Sequence, residues 1–532
     1  MNTLLARLER TRGNKIWPFL LPALLFVAFL YAYHSYRSSL VIDGVRWFWL
    51  DDDQMISMRY ARNLARGVGL VYNPGEYVEG YTNFGWTLIM AAVHLLPLSD
   101  QLMPVAVSVV SCLVCMTVVV LATRLMQDLE RRWLVLTLPA MLVCLVCCSN
   151  VMFWATSGFE TTLVTALHLW VIVFVLGDKG HGAQVLVPLA LIPIVRGDSL
   201  NVWLGDATLI WLLSNNKKRA FVGLLISLVP FVSHLIFRWN YYGDLLPNTY
   251  YLKVAGLDDR LSRGYSYVSR FARSYWLPLI FAGGTVVGSW REDYRTRSIL
   301  TSILPPVLYS LQVGGDSFAP YRFFGHVMPE LFVWAALGGA RLVSRFPARL
   351  CWLLALVGIS LPSGKEPLTQ IAAIGGNGDP FDQIVVAAQL RKNAAPDSSI
   401  AVIPAGIVPY YTHLFAIDVL GKTDRHIAHL PPVPGAYIGH GKLDPKYSLA
   451  RNPDYVISCR ARSFIGQIQR MKEETPTDYV RTFLASPEFM KGWSPNAIRD
   501  PFLLKRTAVY VGTNSKEQVK RKHWQSVVVS DK

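Results

Sequence analysis

Charge is scarce in this sequence. Only 17% of its 532 residues are Asp, Glu, Lys or Arg, against 52% apolar, and a globular domain of ordinary composition would carry about a quarter charged. Too few polar side chains remain to cover a soluble surface of this size. Acids are scarcer than bases, 36 against 52, for a formal net charge of +16. A nucleic-acid binder would gather that excess in runs interleaved with aromatics over a polar face, and no such run is present. The basic residues sit in short loops between long apolar runs, the footprint of membrane orientation. Cysteine is also rare. Of the seven, Cys112, Cys115, Cys144, Cys147, Cys148 and Cys351 fall in apolar stretches, where they read as small packing residues, and Cys459 is alone outside them, so no disulfide is expected there. No Cys or His spacing makes a zinc site, no glycine-rich phosphate loop follows a strand, and there is no internal repeat.

A spanning helix needs about twenty apolar residues. Trp17 to about Tyr36 qualifies, preceded by Arg7, Arg10, Arg12 and Lys15; it is too long for a signal-peptide apolar stretch and lacks a small-residue cleavage site, so it reads as a retained anchor. Further runs at about 103–123, 133–151, 160–177, 183–195, 199–214, 220–237, 275–290, 298–312, 327–340 and 350–362 bring the expectation to about eleven spans. The short run Phe84–Leu98 is assigned to the outer loop. That choice places Arg124/Arg131/Arg132, Lys179, Lys217/Lys218/Arg219, Arg291/Arg295/Arg297 and Arg341/Arg345/Arg349 all on the cytoplasmic side. The expectation is a polytopic α-helical protein of a bacterial inner membrane, N-terminus cytoplasmic and C-terminus external. From about Lys365 the apolar runs shorten to strand length, at 399–404, 415–420, 455–458 and 507–511, with a helix at Asp382–Asn393. The expected domains are therefore 1–364, with an external juxtamembrane loop at 37–102, and an extracytoplasmic α/β domain at 365–532 behind a linker at 361–379.

The segment Leu50–Asn83 stands out as polar, aromatic and acidic between two apolar runs. Asp51, Asp52 and Asp53 open it, and Asp52 or Asp53 would cap a helix from Gln54 to about Arg66. Arg59, Arg62 and Arg66 share one face of that helix and Ile56, Tyr60 and Leu64 another, a pattern suited to a membrane surface. Val68 to Glu76 reads as a strand and a tight turn. Asp52-Asp53, Arg59 to Asn63, Tyr72-Asn73-Pro74-Gly75-Glu76 and Glu79-Gly80-Tyr81-Thr82-Asn83 resemble, in order, the first external loop of membrane glycosyltransferases of the GT-C class. The similarity is to the cell-wall arabinofuranosyltransferase family and its bacterial relatives. The resemblance implies a polyprenyl-phosphate sugar donor and an acidic residue of this loop serving the reaction.

Sugar transfer from such a donor needs a base for the acceptor hydroxyl and cations for the departing phosphate. Asp52 and Asp53 are the candidate catalytic residues. Arg238 to Lys253, including Asp244, Asn248 and Thr249, resembles another segment of the family. Lys253, Arg196 and Arg322 are the candidate donor-phosphate ligands, Arg322 with its bidentate fork. Substrate contacts are assigned to Arg59, Glu79, Tyr81, Asn83, Glu160, Asp198, Asp244, Asn248, Thr249 and Asp316. His426 and His440 join them from family-like segments of the C-terminal region. Where the family often has Pro after the arginine, this chain has Gly197. Asp206, in a weak span, reads equally as a cavity-facing group or a neutral packing residue. A divalent cation, Mg or Mn, held by Asp52 and Asp53 with Asp316 or Glu160 is left open. The expected reaction is transfer to an extracytoplasmic glycan, lipid or protein. The alternative is a transporter or flippase of polyprenyl-linked intermediates, which would place polar groups near mid-membrane and on both faces, whereas here they collect in the outer loops.

Overall fold

A computed structural model describes residues 16–129, 134–177, 182–254, 259–289, 293–316, 321–343, 379–432, 439–458, 483, 486–494, 508–512 and 528–530. In chain order these form α1 (Trp17–Arg37), β1 (Ser39–Ile42), β2 (Val45–Phe48), α2 (Asp52–Ala65), α3 (Phe84–Val93), α4 (Met103–Leu129), α5 (Leu134–Cys147), α6 (Ser149–Thr156) and α7 (Thr161–Leu176). There follow α8 (Ala183–Val195), α9 (Leu200–Leu213), α10 (Lys217–Tyr242), α11 (Asn248–Lys253), α12 (Arg260–Ser274), α13 (Trp276–Ser289), α14 (Arg297–Val313) and α15 (Val327–Val343). The C-terminal part adds α16 (Asp379–Asn393), β3 (Ser399–Val402), α17 (Ile407–Thr412), β4 (Phe415–Asp418), β5 (Tyr455–Ser458), β6 (Trp493–Ser494), β7 (Ala508–Gly512) and β8 (Val529–Ser530). The expected span at 350–362 and the expected linker lie outside the described residues.

The chain divides into two compact units. One comprises residues 1–34, 108–233 and 259–374, the other 35–107, 234–258 and 375–532. The first is helical. Among the described residues three helices, α1, α4 and α10, are long and apolar enough to cross a membrane, and a fourth span results if α5 and α6, bent by 56° at their break, count as one. Without water between them, apolar helices gain by close packing of small residues and not by hiding from solvent. The first unit uses glycine for this. A Cβ on Gly205 would lie 2.3 Å from the Thr301 carbonyl oxygen, and one on Gly338 2.2 Å from that of Phe281, so α9 meets α14, and α15 meets α13, backbone to side.

The second unit holds two sheets. One has strand order β2-β1-β8, the other β4-β3-β5-β7-β6, with β3 parallel to both β4 and β5 and the β5–β7–β6 ladder antiparallel. The four strands expected near 399, 415, 455 and 507 are present, as is the helix near 382. The hairpin β1–β2 went unread, although its Asp43-Gly44 turn, with φ of 49° and 77°, is the strongest short hairpin signal. No strand forms over 68–76. The carbonyls of Val71 and Tyr72 there accept from the side chains of Asn63 and Arg59, so that stretch is pinned by α2 and not by a ladder.

Candidate active site

In the second unit the three adjacent aspartates take three different positions. Asp51 is the N-cap of α2, accepting from the Asp53 N–H at 3.1 Å; the cap falls one residue earlier than expected. Asp52 instead receives the N–H groups of Gly406 and Ile407 on its Oδ1, at 3.2 and 2.9 Å, which joins α2 to the start of α17. Only glycine allows this approach, because a Cβ at 406 would lie 1.9 Å from the Asp52 carbonyl oxygen. Asp53 pairs with Lys422 at 2.5 Å, its side chain 26% exposed and that of Lys422 12%.

Their acidities diverge for stated reasons. Burial, then the charges of Asp53 and Asp52, push Asp51 up to about 7. Burial also raises Asp52, to about 6, against the pull of Lys422. Burial would raise Asp53 as well, but Lys422, then Lys253, and further down His440, outweigh it and hold that carboxyl well below its usual range. Lys422 is in turn held above its ordinary value, as Asp53 and Asp52 overcome the cost of burying it. Adjacent carboxyls with separated acidities are the arrangement acid–base catalysis uses.

Lys422 lies in the family-like segment that carries His426, but sequence reasoning gave it no role. It lies 369 residues from Asp53 in the chain. Its loop is wound around the buried Asp418, which accepts from the N–H groups of Leu420, Gly421 and Thr423. Asn248 closes the same loop, donating to the carbonyls of Gly421, Lys422 and Asp424 at 2.8, 3.2 and 3.1 Å. Asn248 thus positions the loop that carries Lys422. Lys253, one turn beyond the buried Thr249 on α11, lays its stem against Gly439, next to His440; a Cβ there would be 3.2 Å from Lys253 Cε. The Thr249 hydroxyl has no hydrogen-bond partner among the described residues.

Several residues expected to contact substrate are engaged with other parts of the protein. Arg59 is 2% exposed and donates to the carbonyls of Tyr72, Pro409 and Leu414 and to Asn73 Oδ1. Arg62 donates to the Tyr410 carbonyl. Arg59 and Arg62 are therefore internal, satisfying carbonyls and not lying on a membrane surface, while the exposed Arg66 pairs with Asp100 at 3.1 Å. Glu79 faces Arg238 at 2.5 Å and burial, opposed by Arg238, brings it to about 7. Tyr81 shares a hydroxyl contact with Tyr242, and Asn83 links Ser57 and Gln54 of α2 to α3. Asp244 accepts from Tyr251 and Leu246. His426 stands 3.1 Å from Asp444, 45% exposed, and lies on the Tyr447 ring.

In the first unit, Arg196 joins Glu160 at 2.5 Å and grips Asp198 with its other two nitrogens. Arg322 stands 2.8 Å from Asp316 and 5.6 Å from the Trp154 ring centre. Tyr309 feels the charges of all four of Asp198, Arg196, Arg322 and Asp316, so the two pairs are neighbours. Two of the three expected phosphate cations, Arg196 and Arg322, thus stand against carboxylates. Asp206 is 2.9 Å from His168, in a cluster that no sequence pattern announced. Among the described residues no group of three or more His, Cys, Asp or Glu is placed to hold a metal ion, and Lys422 supplies the positive charge beside Asp53.

The fold is that of GT-C membrane glycosyltransferases. It matches ArnT from Cupriavidus metallidurans bound to undecaprenyl phosphate, with a TM-score of 0.54 and 11% identity over 91% of this chain and 97% of that one. It also matches the apo oligosaccharyltransferase of Archaeoglobus fulgidus, with a TM-score of 0.51 and 10% identity over 84% of this chain and 70% of that one. In sequence the chain resembles arabinofuranosyltransferases, as its motifs imply. It is 30% identical over 341 residues to a terminal beta-(1->2)-arabinofuranosyltransferase of Mycobacterium tuberculosis, covering 60% of this chain and 54% of the relative. It is 26% identical over 311 residues to the protein of that name in Corynebacterium glutamicum, covering 50% and 45%. The chain spans about half the length of these relatives. Residues 377–511 match a family described as a domain of unknown function (DUF8728).

Proposed function

We propose that this chain is a GT-C glycosyltransferase that moves a sugar from a polyprenyl-phosphate donor to an extracytoplasmic glycan, lipid or protein of the cell envelope. The observation that carries the reading is the Asp51–Asp53 cluster beside Lys422, with Lys253 and His440 in electrostatic reach. Asp52 is the proposed base. At about 6 it is ionised at neutral pH yet still able to take a proton, the compromise a general base needs. Asp53 is ionised but a poor acceptor, and it keeps Lys422 in place. Both backbone bonds to Asp52 fall on Oδ1, so Oδ2 is assigned to the acceptor hydroxyl. That hydroxyl gives its proton to Asp52 while its oxygen bonds to the anomeric carbon. The bond from that carbon to the phosphate oxygen breaks, and the electron pair leaves with the polyprenyl phosphate. Lys253 is the proposed cation for the phosphate, as a point charge, because it stands within electrostatic reach of Asp53. No step is assigned to a divalent cation.

The undecaprenyl phosphate in the ArnT structure supports a polyprenyl donor, and the named relatives support an arabinofuranosyl sugar. We also propose the eleven-span orientation in a bacterial inner membrane, with the region 365–532 external, on the placement of basic loops. A strain lacking the protein should lose a terminal sugar from an envelope glycan, and purified protein should transfer that sugar from a polyprenyl phosphate. One observation favours the rival transporter reading, the polar cluster around His168 inside the helical unit. An unchanged glycan together with movement of intact polyprenyl-linked intermediate across vesicles would decide for it.

A further inference from the structure

Eight residues beyond Glu160, Asp198 and Arg322, on the order of 12 Å along a helix at 1.5 Å per residue, lie His168, Asp206 and Glu330. The helical unit therefore repeats its outer layer of charges with a second one deeper in. His168 of α7 is 2.9 Å from Asp206 of α9 through Nδ1 and 3.5 Å from Glu330 of α15 through Nε2. His326 stacks edge-on to His168 at 5.4 Å and bonds the Ser302 carbonyl of α14. Glu330 Oε1 accepts from Ser298 of α14 and from Trp334. All four ionisable groups are buried, with exposures of 0% for His168, 1% for Asp206, 4% for His326 and 0% for Glu330.

The charges do not balance. With His168 protonated between two carboxylates and His326 neutral toward a carbonyl, the group sums to one negative charge. A buried unpaired charge is strongly disfavoured. Asp206 Oδ2 and His326 Nε2 are buried without a hydrogen-bond partner among the described residues, while His168 Nε2 and Glu330 Oε2 face each other at 3.5 Å. Glu330 has two donors on Oε1, which favours its anion, whereas Asp206 Oδ1 meets the shared imidazole. We propose that this cluster is an intramembrane proton-binding site, in which Asp206 carries one proton at Oδ2 and His168 bridges the resulting acid to the Glu330 anion. The cluster shares no residue with Asp51, Asp52 and Asp53 and does not depend on the reaction assigned to them.

Infrared spectroscopy of the full chain in membranes tests it. At about pH 9, well above the Asp51 and Glu79 values of about 7, one protonated-carboxyl C=O stretch per molecule should remain. Its frequency should fall when aspartate carries carbon-13 at the side-chain carboxyl and stay put when glutamate does. The band should vanish in Asp206→Asn. It should vanish in Glu330→Gln too, since Asp206 would then ionise as the sole counter-ion of His168. His168→Gln should double it, because both carboxyls must then be neutral; a merely structural hydrogen bond would give no such gain. The labelled parent protein serves where a variant fails to fold. Absence of the band in the parent, or a band that follows the glutamate label, would overturn the proposal.

Discussion

The carboxylates of this chain fall into two kinds. In the helical unit, Glu160 and Asp198 enclose Arg196, and Asp316 faces Arg322 with side-chain exposures of only 3% and 8%. Each acid there stands against an arginine, with Glu160 and Asp198 sharing one, and the arginines are buried. In the other unit, three aspartates crowd one helix start, share Lys422, and keep Asp53 a quarter exposed. Buried arginine–carboxylate groups fix helices relative to one another. Crowded, partly open carboxyls leave protons to be moved, and their acidities spread from well below the usual range to about 7.

The contrast is broken most strongly by removing a sealed cation. Arg196→Gln leaves Glu160 and Asp198 buried without their partner and should cost about 3–5 kcal/mol, read as a large fall in melting temperature in detergent; a variant melting within a degree of the parent would place Arg196 outside the architecture. Lys422→Met comes next. A charge-assisted hydrogen bond is worth about 1.5–3 kcal/mol, so turnover near pH 7 should drop about tenfold or more. Its pH profile sharpens the point. The base must be ionised, so activity falls as pH drops through the Asp52 value of about 6. Since Lys422 holds that value down, its loss should move the acid limb to higher pH, and an unmoved limb would mean Asp52 is not the base. The smallest effect belongs to Lys253→Met, which should weaken donor binding about tenfold, roughly 1.4 kcal/mol, while stability stays within about 0.5 kcal/mol; equal donor affinity in both proteins would remove Lys253 from the phosphate site.

Much of this was legible in the sequence, and the limits have physical causes. Long apolar runs, the strands near 399, 415 and 455, and the motif series from Asp52 to Asn83 are local signals. Arg59 misled because an arginine stripe on an amphipathic helix looks the same whether it meets phosphates or the carbonyls of Pro409 and Leu414. Lys422, His168 and Glu330 escaped for a shared reason: each acquires meaning only from a partner brought up by folding, from 369 residues away in the first case. The cap shifted from Asp52 to Asp51 because Asp52 is claimed by the backbone of residues 406 and 407, a competition no local rule contains.

The central claim is that Asp52 takes the proton of the attacking hydroxyl. Single-turnover transfer from a bound polyprenyl-phosphate sugar, compared between the parent and Asp52→Asn, tests it most directly, since Asn keeps the shape and can still accept from Gly406 and Ile407. General-base catalysis contributes about 10²–10⁴-fold, so the rate should fall at least about a hundredfold with donor affinity unchanged. Transfer at close to the parental rate in Asp52→Asn, and likewise in Asp53→Asn, would contradict the assignment.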